Sequence, residues 1–196
     1  MARDLDEIRS SEIEMLTEKY GAPRTLSFSA EFQEFECEMI RRSLAKDRNN
    51  DVTCFIRRED GNFVVIQKHQ YARSGIYRAP SGGARRGESI EEAAHREMRE
   101  ETGLEIELLR FLLDLSLEVK CGEETLQWRS LVFLARPTGG EMRPIDTREI
   151  FDVQAMTREA LLGPVDRLMR ESGWGGFAYR SFLTREFFKR LDELNI

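Results

Sequence analysis

Cysteine, long hydrophobic runs and excess positive charge are all scarce in this chain, and each absence excludes a class of protein. The three cysteines, Cys37, Cys54 and Cys121, are odd in number, widely spaced and without a Cys-x-x-Cys pair. We therefore predict buried small apolar side chains rather than a disulfide framework or a zinc site.

No apolar stretch approaches the roughly 20 residues that a membrane-spanning helix needs. The polar, acidic start is unlike a secretory leader, so we expect a soluble cytoplasmic protein.

The net charge limits the classes of partner that the protein is expected to bind. A formal net charge of -6 argues against a nucleic-acid coat or a protein of anionic membrane surfaces, so we expect neither membrane nor nucleic acid as a partner. With 196 residues, 40% of them hydrophobic, the chain can bury one good core. A single domain with terminal extensions and a small-molecule substrate is the expectation.

The most informative segment is Gly82 to Leu104, which reads GGARRGESIEEAAHREMREETGL. Its second part predicts a helix from Ser89 to Thr102. Ser89 can serve as the N-cap, acidic residues follow in the first turn, and Gly103 stands at a C-cap position.

Three acids share one face of this helix. At about 100° per residue, Glu97, Glu100 and Glu101 fall within an arc of roughly 100°. The small apolar residues that should face the protein body project within roughly 60° of Glu97, namely Ile90, Ala93 and Ala94. Ionised groups on an inward face need partners, which a cation would supply. The alternative is a solvated helix laced with ion pairs, but the flexible turn at Gly82 and Gly83 favours a ligand site.

These residues also carry a family resemblance. Gly82, five residues, Glu88, seven residues, and then the run Arg96 to Leu104 resemble the Nudix box at every position. The resemblance implies an α/β/α sandwich around a mixed β-sheet, which the order of elements also suits. We expect the Nudix domain over residues 51–196 and a helical extension over residues 1–50.

The resemblance implies a reaction and its cofactor. Nudix hydrolases direct water at a phosphorus of a diphosphate linkage, and Mg²⁺, with Mn²⁺ as the alternative, is the implied ion because it prefers oxygen ligands. The implied metal ligands are the carbonyl of Ser81 and the side chains of Glu97, Glu100 and Glu101. Glu88 would support them, and Arg96 would hold an acidic neighbour in place.

The identity of the general base stays open at this stage. The general base is Glu97 or Glu101, with Glu149 as an auxiliary candidate that could equally be an exposed turn residue beside Arg148.

The substrate-binding candidates lie in the glycine-rich loop. Gly82 and Gly83 allow close backbone approach. Arg85 and Arg86 could bind phosphate with forked hydrogen bonds. The interpretation we favour is that these two arginines only offset the acidic neighbourhood.

The substrate is less well indicated. Family signatures for ADP-ribose hydrolases (a proline) and dinucleoside polyphosphate hydrolases (a tyrosine) are missing at Glu118 to Cys121. An ADP-ribose or sugar-nucleotide substrate and a homodimer are suggested by the N-terminal extension, by analogy with relatives. One alternative is a nucleotide-sensing Nudix-fold domain that does not hydrolyse. Another is an isoprenyl diphosphate isomerase, for which neither Cys37 nor Cys54 is a clear candidate.

Outside the box, the hydrophobic pattern predicts further elements. A first helix runs from Asp4 to Tyr20 with Leu5, Ile8, Met15 and Leu16 on its apolar side, and a second runs from about Ala30 to Lys46. Its apolar residues, Phe32, Phe35, Met39 and Ile40, are expected to pack. The runs VTCFIRR and FVVIQKH predict a hairpin about Asp60-Gly61.

The second half of the chain predicts two extended segments, helical turns and a final helix from Tyr179 to Leu194. Trp128 and the segment Trp174 to Phe177 could stack on a base but are more typical of a core.

Overall fold

The computed structural model describes residues 2–196, with side chains from residue 11 onward. Six helices and seven strands alternate along this part of the chain, with single turns of 3-10 and π-helix. In order they are α1 (Ala2–Tyr20), β1 (Arg24–Glu31), α2 (Glu34–Leu44), β2 (Asn50–Ile56), β3 (Phe63–Lys68), the 3-10 turn His69–Tyr71, β4 (Ser81–Gly82), α3 (Ile90–Thr102), β5 (Leu104–Cys121), β6 (Glu124–Gly140), β7 (Ile150–Met156), α4 (Arg158–Ala160), the π-helical turn Leu161–Val165, α5 (Asp166–Glu171) and α6 (Gly175–Leu194).

The strands form a mixed five-stranded sheet, in the order β1-β5-β6-β2-β4, and a two-stranded sheet of β3 and β7. β1 runs parallel to β5 and β2 parallel to β6, while β5 and β6 make a long antiparallel hairpin. Alternate residues of β2 enter different cores: Val52 and Cys54 pack with α3, and Phe55 packs with α6. Helices therefore cover both faces of the main sheet, and the predicted α/β/α sandwich is confirmed.

The predicted hairpin between β2 and β3 is wrong beyond its turn. The turn forms, since the N–H of Arg58 donates to the carbonyl of Asn62 (2.9 Å), and one bridge joins Arg57 to Phe63. The strands then part, because β2 pairs with β6 and β4 whereas β3 pairs with β7. Both strands are buried on both faces, so their residue pattern does not indicate which strands they pair with.

The N-terminal region contains a strand that the sequence prediction missed. Residues Arg24–Glu31 form β1, with an alternation of half-buried and exposed side chains along its length, and join the main sheet. The second helix consequently begins at Glu34 rather than Ala30. The period of two in RTLSFSAE was the available signal.

The terminal helices differ in part from the prediction. α1 ends at Tyr20 as predicted, before Gly21 at φ 92°. Leu16 is buried but Met15 is 63% exposed, so Met15 does not belong to the apolar side. Leu5 and Ile8 lie outside the residues whose side chains are described. α6 begins at Gly175, four residues earlier than predicted, and no helix within residues 2–196 is long and apolar enough to cross a membrane.

The cysteine prediction is wrong for two of the three residues. Cys37 of α2 and Cys121 at the end of β5 form a disulfide, because the helix packs over this strand end and brings the two Cα atoms to 6.0 Å. The pair is 84 residues apart in sequence, so spacing alone could not reveal it. Cys54 is free and buried as predicted, and its burial raises the pKa of the thiol.

Candidate active site

Helix α3 is held by local capping interactions. The hydroxyl of Ser89 accepts from the N–H of Glu92 (3.2 Å), whose carboxylate accepts from the N–H of Ser89 (2.9 Å). Gly103 ends the helix at φ 75°, a conformation that favours glycine. The predicted helix and both caps are confirmed.

The buried face of α3 carries one of the predicted acids. Glu101 is only 3% exposed and lies on the same side as the apolar residues that pack on the sheet, Ile90, Ala93, Ala94 and Met98. Glu97 is largely buried, and Glu100 is the most accessible of the three. The inward orientation predicted from helical spacing therefore holds for Glu101 and largely for Glu97.

The glycine turn predicted at Gly82 begins as the short strand β4, and this segment contacts two of these carboxylates. The N–H of Ser81 donates to Oε2 of Glu101 (2.8 Å). The carboxylate of Glu97 lies against Gly82, where an added Cβ would come within 1.9 Å of its Cδ atom. Glycine is needed at this position because the carboxylate occupies the space of a side chain.

Arg96 joins the remaining acids. It forms a forked pair with Glu88 (2.7 Å for both bonds), and its Nη1 atom lies 2.6 Å from Glu97 and 3.2 Å from Glu100. Its Nη2 also donates to the carbonyl of Gly83 (3.1 Å). Hydrogen bonding to Arg96 holds the pKa of Glu88 below its usual value. One guanidinium thus ties three carboxylates to the loop.

Glu88, Glu97, Glu100 and Glu101, together with Arg96, form a group that we call the carboxylate cluster. Lys68, which the sequence did not single out, completes it. Nζ of Lys68 lies 3.3 Å from Oε1 of Glu101 and also pairs with the carboxylate of Glu149. Glu149 is half exposed and is linked to α3 through this lysine rather than directly. Lys68 ends a buried strand, and its position opposite the box depends on how the two sheets pack.

The two loop arginines are placed differently. Arg85 pairs with Glu100 (3.2 Å), and its N–H donates to Glu88 (2.8 Å), as expected if it offsets the acidic neighbourhood. Arg85 therefore lies at the rim of the carboxylate cluster. Arg86 is exposed.

The donor set suits a hard divalent cation by its chemistry. Burial raises the pKa of Glu97, the hydrogen bond from Arg96 opposes this, and the charges of Glu101 and Glu100 raise the pKa further. Within the described residues no three His, Cys, Asp or Glu side chains are arranged to hold a metal ion. Arg96 and Lys68 instead provide the positive charge among the carboxylates. The carboxylate oxygens of Glu97, Glu100 and Glu101 are the kind of donor that Mg²⁺ prefers, and these carboxylates need positive charge between them.

A cavity of about 200 Å³ adjoins the cluster, and we call it the aromatic cavity. It shares Lys68 with the carboxylate cluster, and it lies between α2 and the start of α6. Its lining residues are Phe32, Phe35, Glu36, Met39, Ile40, Asp51, Lys68, Gln70, Tyr71, Arg78, Leu117, Trp128, Trp174, Gly176, Phe177, Tyr179 and Arg180.

Two arginines, one buried and one partly buried, connect this cavity to the glycine turn. Arg78 and Arg180 both donate to the hydroxyl of Ser81, at 2.8 and 2.9 Å. Arg180 also pairs with Asp51 (2.9 Å). Neither arginine nor Asp51 belongs to a local motif, because they come from a loop, from α6 and from β2. Sequence reasoning had no signal for them.

Comparison with known proteins decides the family. The model of the NUDIX domain matches residues 47–173, which include the whole box segment. The chain belongs to the Nudix family. The predicted Nudix hydrolase is thereby confirmed at the level of the family, while the division of the chain at residue 50 stays a prediction.

Named relatives match part of this Nudix chain. The 8-oxo-dGDP phosphatase NUDT18 of Mus musculus is 35% identical over 97 residues, which are 50% of this chain and 28% of the mouse protein. The NAD-capped RNA hydrolase NudC of Pasteurella multocida is 33% identical over 97 residues, 48% of this chain and 33% of that protein. The matches thus span about a third of the length of these relatives. A solved structure of a UDP-X diphosphatase aligns with a TM-score of 0.46 and 20% identity, over 63% of this chain and 60% of the other.

Proposed function

We propose that this Nudix protein is a Mg²⁺-dependent hydrolase that cleaves the diphosphate linkage of a nucleoside diphosphate derivative by attack of water at phosphorus. The observation that carries the proposal is the convergence of Glu97 and Glu101 on the glycine turn, with Glu101 buried. Mg²⁺ would be held by Glu97, Glu100, Glu101 and the carbonyl of Ser81, with Mn²⁺ as the alternative ion. When bound, the ion would neutralise the diphosphate and make the attacking water more acidic.

The chain's own residues would position and charge the site. Glu101 is oriented by the N–H of Ser81 and by Lys68, and Arg96 restrains Glu97. Lys68 offers an ammonium group beside Glu101 that could contact a phosphate oxygen. The proton of the water would pass to Glu97 or Glu101, with Glu149 as the auxiliary base because Lys68 links it to the cluster.

The names of the relatives support a nucleotide substrate. One is named for 8-oxo-dGDP and the other for NAD-capped RNA. We propose a small nucleotide of this kind and place ADP-ribose and sugar nucleotides first for testing. A homodimer is proposed by analogy only.

One observation favours a second candidate, a nucleotide-sensing domain without hydrolysis. The carboxylates are engaged by Arg96 and Lys68, and within the described residues none of them forms a preassembled metal site. An isomerase is disfavoured because it needs a reactive cysteine. Cys37 and Cys121 are joined in a disulfide, and Cys54 is buried with a raised pKa.

The test is a hydrolysis screen with ADP-ribose, UDP-glucose, NAD and 8-oxo-dGDP, with and without Mg²⁺. We expect Mg²⁺-dependent release of a nucleoside monophosphate from at least one compound. Glu101→Gln should lower the rate by about 100-fold or more, since a displaced or neutralised group in a preorganised site typically costs that much. Glu107→Gln is the matched control, because this exposed glutamate pairs with Arg136. Nucleotide binding without any turnover would favour the sensor and contradict the hydrolase.

A further inference from the structure

The aromatic cavity has two chemically different ends. One end is lined by three cations, Lys68, Arg78 and Arg180. Arg180 pairs with Asp51, and Lys68 pairs with Glu101 and Glu149 of the neighbouring site. Arg78 is 8% exposed, and its guanidinium is held by Ser81, by the carbonyl of Ala79 (3.0 Å) and by the hydroxyl of Tyr71 (3.1 Å). All three groups that hold Arg78 are uncharged, so its guanidinium remains able to form a charge-assisted hydrogen bond with an anion.

The second acid that lines the cavity is engaged at the start of α6. Glu36 is buried, and its carboxylate accepts from the N–H groups of Gly175 (3.1 Å) and Gly176 (3.0 Å) at the start of α6. Its charge is therefore engaged by the N-terminus of that helix.

The opposite end is aromatic and open. The rings of Trp174 and Phe177 are nearly parallel, with centroids 4.9 Å apart, and Phe35 meets the edge of Trp174 at 4.8 Å. Phe35 is 41% exposed and Met39 is 51% exposed at this end, although both are large apolar side chains. A flat ring system entering the cavity could cover these surfaces and stack on an aromatic face.

Part of the cavity wall lies outside the matched NUDIX domain. The NUDIX domain match ends at residue 173 and begins at residue 47. Phe35, Met39, Trp174, Phe177 and Arg180 all lie outside it, on α2 and at or within the start of α6. The aromatic end is therefore built by segments that flank the matched domain.

We propose that the aromatic cavity binds the base of the nucleotide, with Phe35 and Trp174 as its stacking residues and the phosphates directed toward Lys68 and Arg78. This assignment rests on the proposed function, because the phosphate end adjoins the carboxylate cluster through Lys68. A volume of about 200 Å³ is below the roughly 300–1,000 Å³ of sites that enclose a whole drug-sized ligand. It suits the base while the phosphates extend to the glycine turn.

The test measures binding without turnover. Isothermal titration calorimetry is carried out with AMP, GMP, CMP and UMP, which have no diphosphate linkage to cleave. Ribose 5-phosphate, which has no base, is titrated for comparison. At least one nucleotide should bind ten-fold or more tightly than ribose 5-phosphate. Phe35→Ala should weaken the binding of that nucleotide about 5- to 100-fold, the range found for loss of one base-stacking ring. The affinity for ribose 5-phosphate should not change.

Two further variants serve as controls. Phe35→Trp keeps an aromatic face and should retain most of the affinity, whereas Met15→Ala removes an exposed apolar side chain outside the cavity and should change nothing. Phe35 is already substantially exposed, so its truncation should leave folding intact. The proposal is overturned if no nucleotide binds better than ribose 5-phosphate, or if Phe35→Ala binds like the wild type.

The two proposals fail separately. If Phe35→Ala hydrolyses the substrate with an unchanged KM, the base site is contradicted and the proposed hydrolase activity still stands. Base-dependent binding that is lost in Phe35→Ala, in a protein that hydrolyses nothing, would support the base site and contradict the hydrolase.

Discussion

A methyl group at Gly82 would test the contact between the glycine turn and α3. In Gly82→Ala the new Cβ would lie 1.9 Å from Cδ of Glu97, whereas ordinary van der Waals contact begins at 3.4 Å. The carboxylate must therefore retreat by about 1.5 Å, the difference between these two distances. The colliding atoms end a flexible side chain, and Gly82 is not among the glycines with positive φ. We expect the free energy of unfolding to change by no more than about 1 kcal/mol.

The expected effect on turnover is much larger. A displacement of about 1 Å in a catalytic group can cost about 100-fold, so kcat/KM for the best diphosphate substrate should fall by about that factor. Thermal unfolding by circular dichroism checks that the variant is folded. Gly163→Ala is the matched control, because nothing lies within 4 Å of its added Cβ.

A double mutant makes the argument stricter. Once Glu97→Ala has removed the carboxylate, adding Gly82→Ala should cause little further loss, because the group that it displaces is gone. Wild-type turnover in Gly82→Ala would refute the reasoning, and so would independent, additive losses in the double mutant.

Two predictions concern stability. Cys37→Ser opens a disulfide that spans 84 residues, for which loop entropy gives about 4.5 kcal/mol and measured cases about 2–5 kcal/mol. Urea unfolding should show that the free energy of unfolding falls by an amount in this range. Dithiothreitol should cause the same loss in the wild type and no further loss in the variant. Equal stability of the oxidised and reduced wild type would contradict this prediction. Glu36→Ala removes the acceptor of the N–H groups of Gly175 and Gly176 and should cost about 1–3 kcal/mol. Glu36→Gln keeps an acceptor oxygen and should lose less than half as much; equal losses would argue against the capping role.

The parts of the structure that the sequence predicted are those with local causes. Ser89 and Gly103 bound α3 through contacts within a few residues, and helical spacing alone placed Glu101 on the buried side. The resemblance to the box then led to the family. These signals do not depend on which strands pair.

The parts that were missed depend on long-range packing. The disulfide of Cys37 and Cys121 and the pairing of β1 with β5 join segments that are far apart in the chain. Lys68 and Arg180 reach the site from β3 and α6, and neither belongs to a motif. The prediction of a β2–β3 hairpin failed for the same reason, since a local turn does not determine which sheet each strand joins.

Metal binding by the isolated protein tests the central claim most directly. Titration with Mn²⁺ followed by electron paramagnetic resonance counts the bound ions without any assumption about the substrate. The account predicts at least one Mn²⁺ bound per chain in the wild type and in Glu107→Gln, Mg²⁺ competing for it, and marked weakening in Glu101→Gln. Equal Mn²⁺ affinity in Glu101→Gln and the wild type would contradict the assignment of the α3 carboxylates as the metal site.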